Sequence, residues 1–160
     1  MFNRILVPLD GSRFASRALR YATELAHRFG AEIILIQVVK PTTPILATTG
    51  MMPGVVESPT LAELTVQAAF TEDRRNTTRA KRYLSGKVRA IKSRDIKTSY
   101  QVIVGDPARV IRELSKKKHI DLVVMTSHGK SGLKRVIMGS VADEVIRESK
   151  VSVLIARPRS

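Results

Sequence analysis

The chain has no cysteine and no tryptophan, and only four Phe and three Tyr among 160 residues. Without cysteine there is no disulfide framework and no thiolate chemistry, which suits the reducing interior of a cell, so a cytoplasmic location is expected. The three histidines, His27, His119 and His128, are scattered along the sequence, and a metal centre built on imidazole is not expected. No apolar run reaches the ~18 residues of a membrane span, and Met1-Phe2-Asn3-Arg4 leads straight into a short apolar strand, so neither a signal peptide nor a membrane anchor is expected. Acid is scarce as well: 28 Lys and Arg stand against 14 Asp and Glu, a net charge of +14. The excess is uneven. Residues 74–97 hold ten Lys or Arg and one acid, Asp95, whereas residues 41–73 hold no base and four acids. A basic stretch attracts nucleic acid or an anionic membrane surface. Only Tyr83 and Tyr100 are interleaved with these charges, however, so no base-stacking platform is indicated. The stretch reads as the solvated face of a helix, and nucleic acid is not among the expected partners. The rival reading, nucleic-acid binding through residues 74–97, predicts a steep salt dependence.

What is present is an ordinary globular composition, 43% hydrophobic and 26% charged, in a length that suits one domain with a real core. Arg4-Ile5-Leu6-Val7-Pro8-Leu9-Asp10 reads as a short strand, followed by a turn at Gly11-Ser12 with Ser12 as helix N-cap. Phe14, Ala18, Leu19, Ala22, Leu25, Ala26 and Phe29 recur at helical spacing, and Gly30 ends that helix. Residues 32–40 are almost continuously apolar, as in a strand covered on both faces. Residues 41–70 read as one long connection, broken by prolines, glycines and threonines. A helix with Ala80, Leu84, Val88 and Ile91 on one face is expected over residues 71–94, and an edge strand over 98–104. Asp106 and Pro107 mark the start of a third helix, with Val110, Ile111 and Leu114 facing inward. Ile120-Asp121-Leu122-Val123-Val124-Met125 is a buried strand. A last helix begins near Ser140, with Val141, Val145 and Ile146 toward the sheet, and Val151–Ala156 is a final apolar strand. This strict alternation of strand and helix implies a doubly wound parallel sheet of five strands with helices on both faces, in a single domain spanning residues 1–160. Such sheets bind ligands at the carboxyl ends of strands where the winding reverses.

The stretch at that end of the fourth strand carries the chemistry. Thr126-Ser127-His128-Gly129-Lys130-Ser131-Gly132 is a turn with glycines that permit close backbone approach, and Gly139-Ser140 stands where the last helix begins. Unpaired amides and the positive end of the helix dipole favour phosphate there. Several enzyme motifs fail. Gly129-Lys130-Ser131 resembles the end of a P-loop, but that motif requires Gly where Val124 stands. The dinucleotide fingerprint is missing after the first strand. Ser127-His128-Gly129 lacks the first glycine of a nucleophile elbow, Met125 standing in its place. No pair of carboxylates flanks the loop, so nothing supplies a general base. Asp10 is either a turn former or an acceptor for ribose hydroxyls. Ser140 caps its helix, meets a phosphate, or does both. Lys130 reaches a phosphate or is solvated.

At these residues the chain resembles the universal stress proteins. The family signature is Gly, two residues, Gly, nine residues, Gly, then Ser or Thr. Gly129, the nine residues 130–138, Gly139 and Ser140 match it, while Thr126 stands in the place of the first glycine. The opening strand through Gly11-Ser12, Gly105-Asp106-Pro107 and the fourth strand are also typical. The resemblance implies a sheet of order 3-2-1-4-5 and an ATP site. By position, Asp10 would hold the ribose, and Val38 would contact the adenine with Pro8 and Leu9 lining the pocket. Gly129, Gly139, Ser140 and Val141 would hold the phosphates, with Lys130 and the Thr126 hydroxyl in reach and Mg²⁺ bound only through the phosphates. The resemblance further implies a homodimer through Val151–Ala156, slow ATP hydrolysis at most, and a role as nucleotide-dependent sensor or adaptor in a stress response, with an unidentified protein partner. The long connection is expected to cover the adenine. The alternative is a nucleotide-free dimeric interaction protein of the same fold.

Overall fold

Strands β1 (Arg4–Pro8), β2 (Glu32–Val39), β3 (Thr98–Val104), β4 (Leu122–Thr126) and β5 (Ser152–Ala156) form one sheet of order β3-β2-β1-β4-β5, with every neighbouring pair parallel. Helices α1 (Ala15–Phe29), α2 (Pro59–Lys92), α3 (Pro107–Lys117) and α4 (Ser140–Glu148) are the crossovers. The computed structural model describes residues 1–42, 59–92, 95–127 and 138–157. The strand order is the one expected.

The apolar runs of the central strands feed two cores, because successive side chains point to opposite faces. Ile5, Val7, Ile33, Leu35 and Val124 pack on one side with Ala15, Ala18, Ala22 and Ala26 of α1 and Leu84, Val88 and Ile91 of α2. Leu6, Ile34, Ile36, Val123 and Met125 pack on the other with Ala108, Ile111 and Leu114 of α3 and Ala142 and Val145 of α4. The small residues of α1 let that helix lie close against the sheet. Burial of such side chains, at about 25 cal/mol per Å² of apolar surface, is the main drive to fold.

The helix ends follow the local chemistry. The Ser12 hydroxyl accepts from Ala15 N–H at 3.0 Å, so it caps α1 although the helix opens at Ala15 rather than at Arg13. Gly30 closes α1 in the left-handed region, its N–H on the Ala26 carbonyl. Asp106 accepts from Arg109 N–H at 3.0 Å, ahead of Pro107. At the amino end of the sheet, Asp121 Oδ2 accepts from the backbone N–H of Asn3 and of Arg4, at 2.8 and 2.9 Å, and fastens β1 to the start of β4.

Three expectations need correction. α2 begins at Pro59, not Thr71, so residues 59–70 are helix and the connection is shorter than 41–70. Leu64 and Phe70 in that first part are 62% and 57% exposed. Ala69 is buried and Thr65 and Val66 are half-buried, but this stripe holds small or polar residues and too few large apolar ones to signal a helix by period, while Pro at a first helical position is compatible with one. The cap of α4 is Gly139, with no side-chain hydrogen bond, and Ser140 is the first residue inside the helix. Ile146 is exposed, and Ala142 with Val145 makes the buried stripe instead. The expectation that the connection covers the adenine falls on residues 43–58, outside the described ones.

Candidate functional site

β1 and β4 are adjacent in the sheet, yet the chain leaves them on opposite sides. α1 follows β1 on one face, and α4 follows β4 on the other. A crevice therefore opens between their carboxyl ends, which is the usual ligand position in an open α/β sheet. A cavity of about 350 Å³ occupies it, within the range of small-molecule sites.

Its walls come from six segments, with Ala15 at the start of α1 as one of them. Pro8, Leu9 and Asp10 continue β1, and Leu9 N–H bonds the Ile36 carbonyl at 2.8 Å, which extends the β1–β2 pairing to the cavity rim. Ile36, Val38 and Lys40 come from β2 and its end. Met125, Thr126 and Ser127 come from β4, with Thr126 and Ser127 both buried. Pro107 and Ile111 belong to α3. Gly139, Ser140, Val141 and Ala142 form the first turn of α4. The Gly139 N–H is taken by the Ser127 carbonyl at 2.7 Å, and the first bond inside α4 runs from Asp143 N–H to the Gly139 carbonyl at 3.0 Å. The amides of Ser140, Val141 and Ala142 thus precede the first intrahelical bond, and Gly139 at the N-cap has no side chain to cap them. The cavity is apolar along Leu9, Ile36, Val38, Ile111 and Met125, and polar at its two ends.

Asp10 serves the turn and the cavity together. Its Oδ1 accepts from Ser12 N–H at 2.9 Å, and Gly11, at φ +85°, swings the chain away into α1. Across the sheet plane a second cavity of about 510 Å³ shares Asp10, Val38 and Lys40 and adds Gln37, Asn76, Arg79 and Tyr83. There the Tyr83 and Ser16 hydroxyls lie 3.0 Å apart, and burial raises the Tyr83 phenol above its ordinary pKa, so it remains protonated near neutrality. Gln37 Oε1 is buried without a hydrogen-bond partner among the described residues.

Pro8, Leu9, Asp10, Val38, Thr126, Gly139, Ser140 and Val141, named from the sequence, all line the one cavity. Gly129 and Lys130 lie outside the described residues. Sequence reasoning missed Lys40, Pro107, Met125 and Ser127. Lys40 had a usable signal, a lone cation directly after an apolar strand; Pro107 was legible only as a helix start. Among the described residues no group of three His, Asp or Glu side chains is placed to hold a metal ion, and no helix is long and apolar enough to cross a membrane.

These features define an open, doubly wound α/β domain with a ligand cavity at its switch point. The chain belongs to the universal stress protein family, whose sequence model matches residues 1–157. It is 30% identical over 159 residues to universal stress protein YxiE of Bacillus subtilis, covering 98% of this chain and 100% of that protein. It is 28% identical over 157 residues to universal stress protein MJ0531 of Methanocaldococcus jannaschii, covering 98% and 83%. Among solved structures, UspA of Lactobacillus plantarum superposes with a TM-score of 0.71 at 21% identity, covering 98% of both chains. A universal stress protein in complex with cAMP gives 0.59 at 21% identity, covering 98% of this chain and 97% of that one. The Archaeoglobus fulgidus protein in complex with dAMP gives 0.62 at 19% identity, covering 97% of each.

Proposed function

We propose that the chain binds ATP, or another adenine nucleotide, in the switch-point cavity and uses occupancy as a signal in the stress response. One observation carries this reading: the first turn of α4, Ser140, Val141 and Ala142 after a glycine cap, lines the same 350 Å³ cavity as Asp10. An amide cluster at a helix's positive end suits phosphate, and a carboxylate at the far end suits ribose hydroxyls. The apolar wall of Pro8, Leu9 and Val38 suits the flat base. Ser140 and Val141 hold the phosphates with their amides, Gly139 allows close approach without a Cβ, and Gly129, Lys130 and the Thr126 hydroxyl complete the cradle on this reading. Mg²⁺ is carried on the phosphates, not by a protein ligand cluster. Two solved relatives that hold cAMP and dAMP support the adenine part of the reading.

The described lining contains a single carboxylate, Asp10, and no histidine. Among the described lining residues, only Asp10 could act as a base toward water, and this reading gives it to the ribose, which supports a sensor or adaptor with slow hydrolysis at most. On this reading the protein acts in the cytoplasm, as a homodimer, on a protein partner. Its pairing element is β5, an edge strand whose Val153, Leu154 and Ile155 are only partly buried. Sedimentation equilibrium of the full chain yields a dimer on this reading; a monomer at every concentration overturns the pairing.

Calorimetry with ATP tests the site. Saturable micromolar binding is expected, and Asp10→Ala weakens it about tenfold or more through loss of charge-assisted hydrogen bonds. No heat and no thermal shift at millimolar ATP overturn the proposal and leave the nucleotide-free interaction protein.

A further inference from the structure

The two helical layers differ in their charge. On the α3–α4 side the arginines are paired: Arg109 with Glu113, Arg112 with Glu144 and Glu148, and Arg147 with Asp143. Among the described residues, the arginines of the α1–α2 side are not. α1 and the turn before it present Arg13, Arg17 and Arg20 to solvent, with Glu24 the one acid of that helix. α2 presents Arg74, Arg75, Arg79, Lys81, Arg82 and Arg89, and no acid falls between Arg74 and its end. Among the described residues no ion pair engages Arg74, Arg75, Arg79 or Arg82. Along the chain alone, residues 74–97 are a solvated helix face. The fold lays the α1 row beside them, since both helices pack on the same core and touch through the Ser16 and Tyr83 hydroxyls.

Residues 75, 79, 82 and 89 fall on one stripe of α2, at helical spacing. Gly86 lies on the same stripe and leaves it open, with nothing within 4 Å of where a Cβ would stand. Between Arg74, Arg75, Arg79 and Arg82 the surface forms a shallow cavity of about 460 Å³ floored by Thr71 and Thr78. Both threonine hydroxyls donate to carbonyls one turn back, at 2.9 Å. The guanidinium forks are therefore the donors that a ligand meets, and such forks match phosphate oxygens in pairs.

We infer that the α1–α2 layer docks the backbone of double-stranded nucleic acid through phosphate contacts, without reading sequence. This does not rest on the nucleotide reading of the cavity. Arginines at two separate helices of one layer, Arg13, Arg17 and Arg20 on one side and Arg75, Arg79 and Arg82 on the other, suit two lines of phosphates rather than one. A single strand lacks a stacking platform on α2, where Lys87 sits 5.3 Å over the Tyr83 ring. A lipid surface finds little to take up, because α2 exposes no large apolar side chain after Phe70, and Phe14, Tyr21 and Phe29 at α1 are each more than half covered.

The test is fluorescence anisotropy of a labelled duplex of about 24 base pairs and mixed sequence, across a salt series. Three full-length triple variants each remove three charges: Arg75→Gln with Arg79→Gln and Arg82→Gln on α2, Arg13→Gln with Arg17→Gln and Arg20→Gln at α1, and Lys116→Gln with Lys117→Gln and Lys150→Gln away from the layer. Gln keeps helix propensity, and circular dichroism checks folding. The slope of log K against log salt falls by about 2.7 for the α2 variant and drops for the α1 variant, at about 0.9 per phosphate contact. The third variant keeps the wild-type slope. An equal loss in all three means generic charge attraction and overturns the inference. So does equal or tighter binding, at the same salt, to a single strand of that length or to phosphatidylcholine vesicles with about 30% phosphatidylserine.

Discussion

The Gly139 N–H donates to the Ser127 carbonyl at 2.7 Å, and this bond closes the chain segment between β4 and α4 at its neck. It fixes where the first turn of α4 begins relative to the carboxyl end of β4. The cavity depends on that placement, because Ser127 and Gly139 both line it.

Gly139 has φ −64° and ψ 146°, so proline fits its φ but has no N–H to donate. Gly139→Pro is therefore expected to keep the local backbone and lose the clamp. The expected cost is about 1 kcal/mol of stability, read by urea denaturation, together with weaker ATP binding by calorimetry. Unchanged stability and unchanged binding would show that the neck bond does not hold the site.

Asp121 and Glu32 set the acid limit of the fold. Backbone N–H donors from Asn3 and then Arg4 hold the Asp121 carboxyl below its ordinary value of 3.8. Lys97, hydrogen-bonded to Glu32, and Arg4 hold the Glu32 carboxyl below 4.5. A carboxyl with a lowered native pKa contributes stability that is complete above its unfolded value and is lost as pH falls toward and through the native one. Stability should therefore fall below about pH 4.5. Asp121→Asn should cost about 1 kcal/mol at pH 7 and flatten the acid slope in denaturation measured from pH 7 to pH 3. An acid slope identical to wild type would mean that Asp121 is not a staple.

Gly105 joins β3 to α3 at φ +154°, and a Cβ there would meet Val110 Cγ2 at 3.3 Å. Gly105→Ala should cost about 1–3 kcal/mol from backbone strain alone. Adding Val110→Ala relieves the contact without relieving the φ, so the double variant should not recover the lost stability in thermal melts. Full recovery would assign the cost to packing instead.

Gln37 carries a buried carbonyl oxygen with no partner among the described residues. Met has nearly the same length and no polar atom to desolvate. Gln37→Met should raise the stability of the unliganded protein by about 1 kcal/mol, seen as a higher melting temperature. A lower melting temperature would indicate that an ordered water or a ligand satisfies that oxygen.

Much of the fold was legible because it rests on local chemistry. The apolar runs at Ile5–Val7 and Ile33–Ile36, the cap at Asp106 and the stop at Gly30 are written in adjacent residues. The first part of α2 was not legible, because its large apolar residues Leu64 and Phe70 face solvent and its covered stripe is only Thr65, Val66 and Ala69. Ser140 was read as the cap from its hydroxyl, but backbone geometry gave that place to Gly139, whose neck bond to Ser127 no local pattern announces.

The sequence by itself determined the alternation of strand and helix, the parallel sheet that follows from it, and the residues at the carboxyl ends of the strands. These depend on hydrophobic period and turn chemistry, which act over a few residues. Only the tertiary structure decided that Asp10, Lys40, Pro107 and the first turn of α4 share one cavity, and that the arginines of α1 and α2 share one face. Such neighbours lie far apart along the chain, and only the packing of the crossovers onto the sheet brings them together.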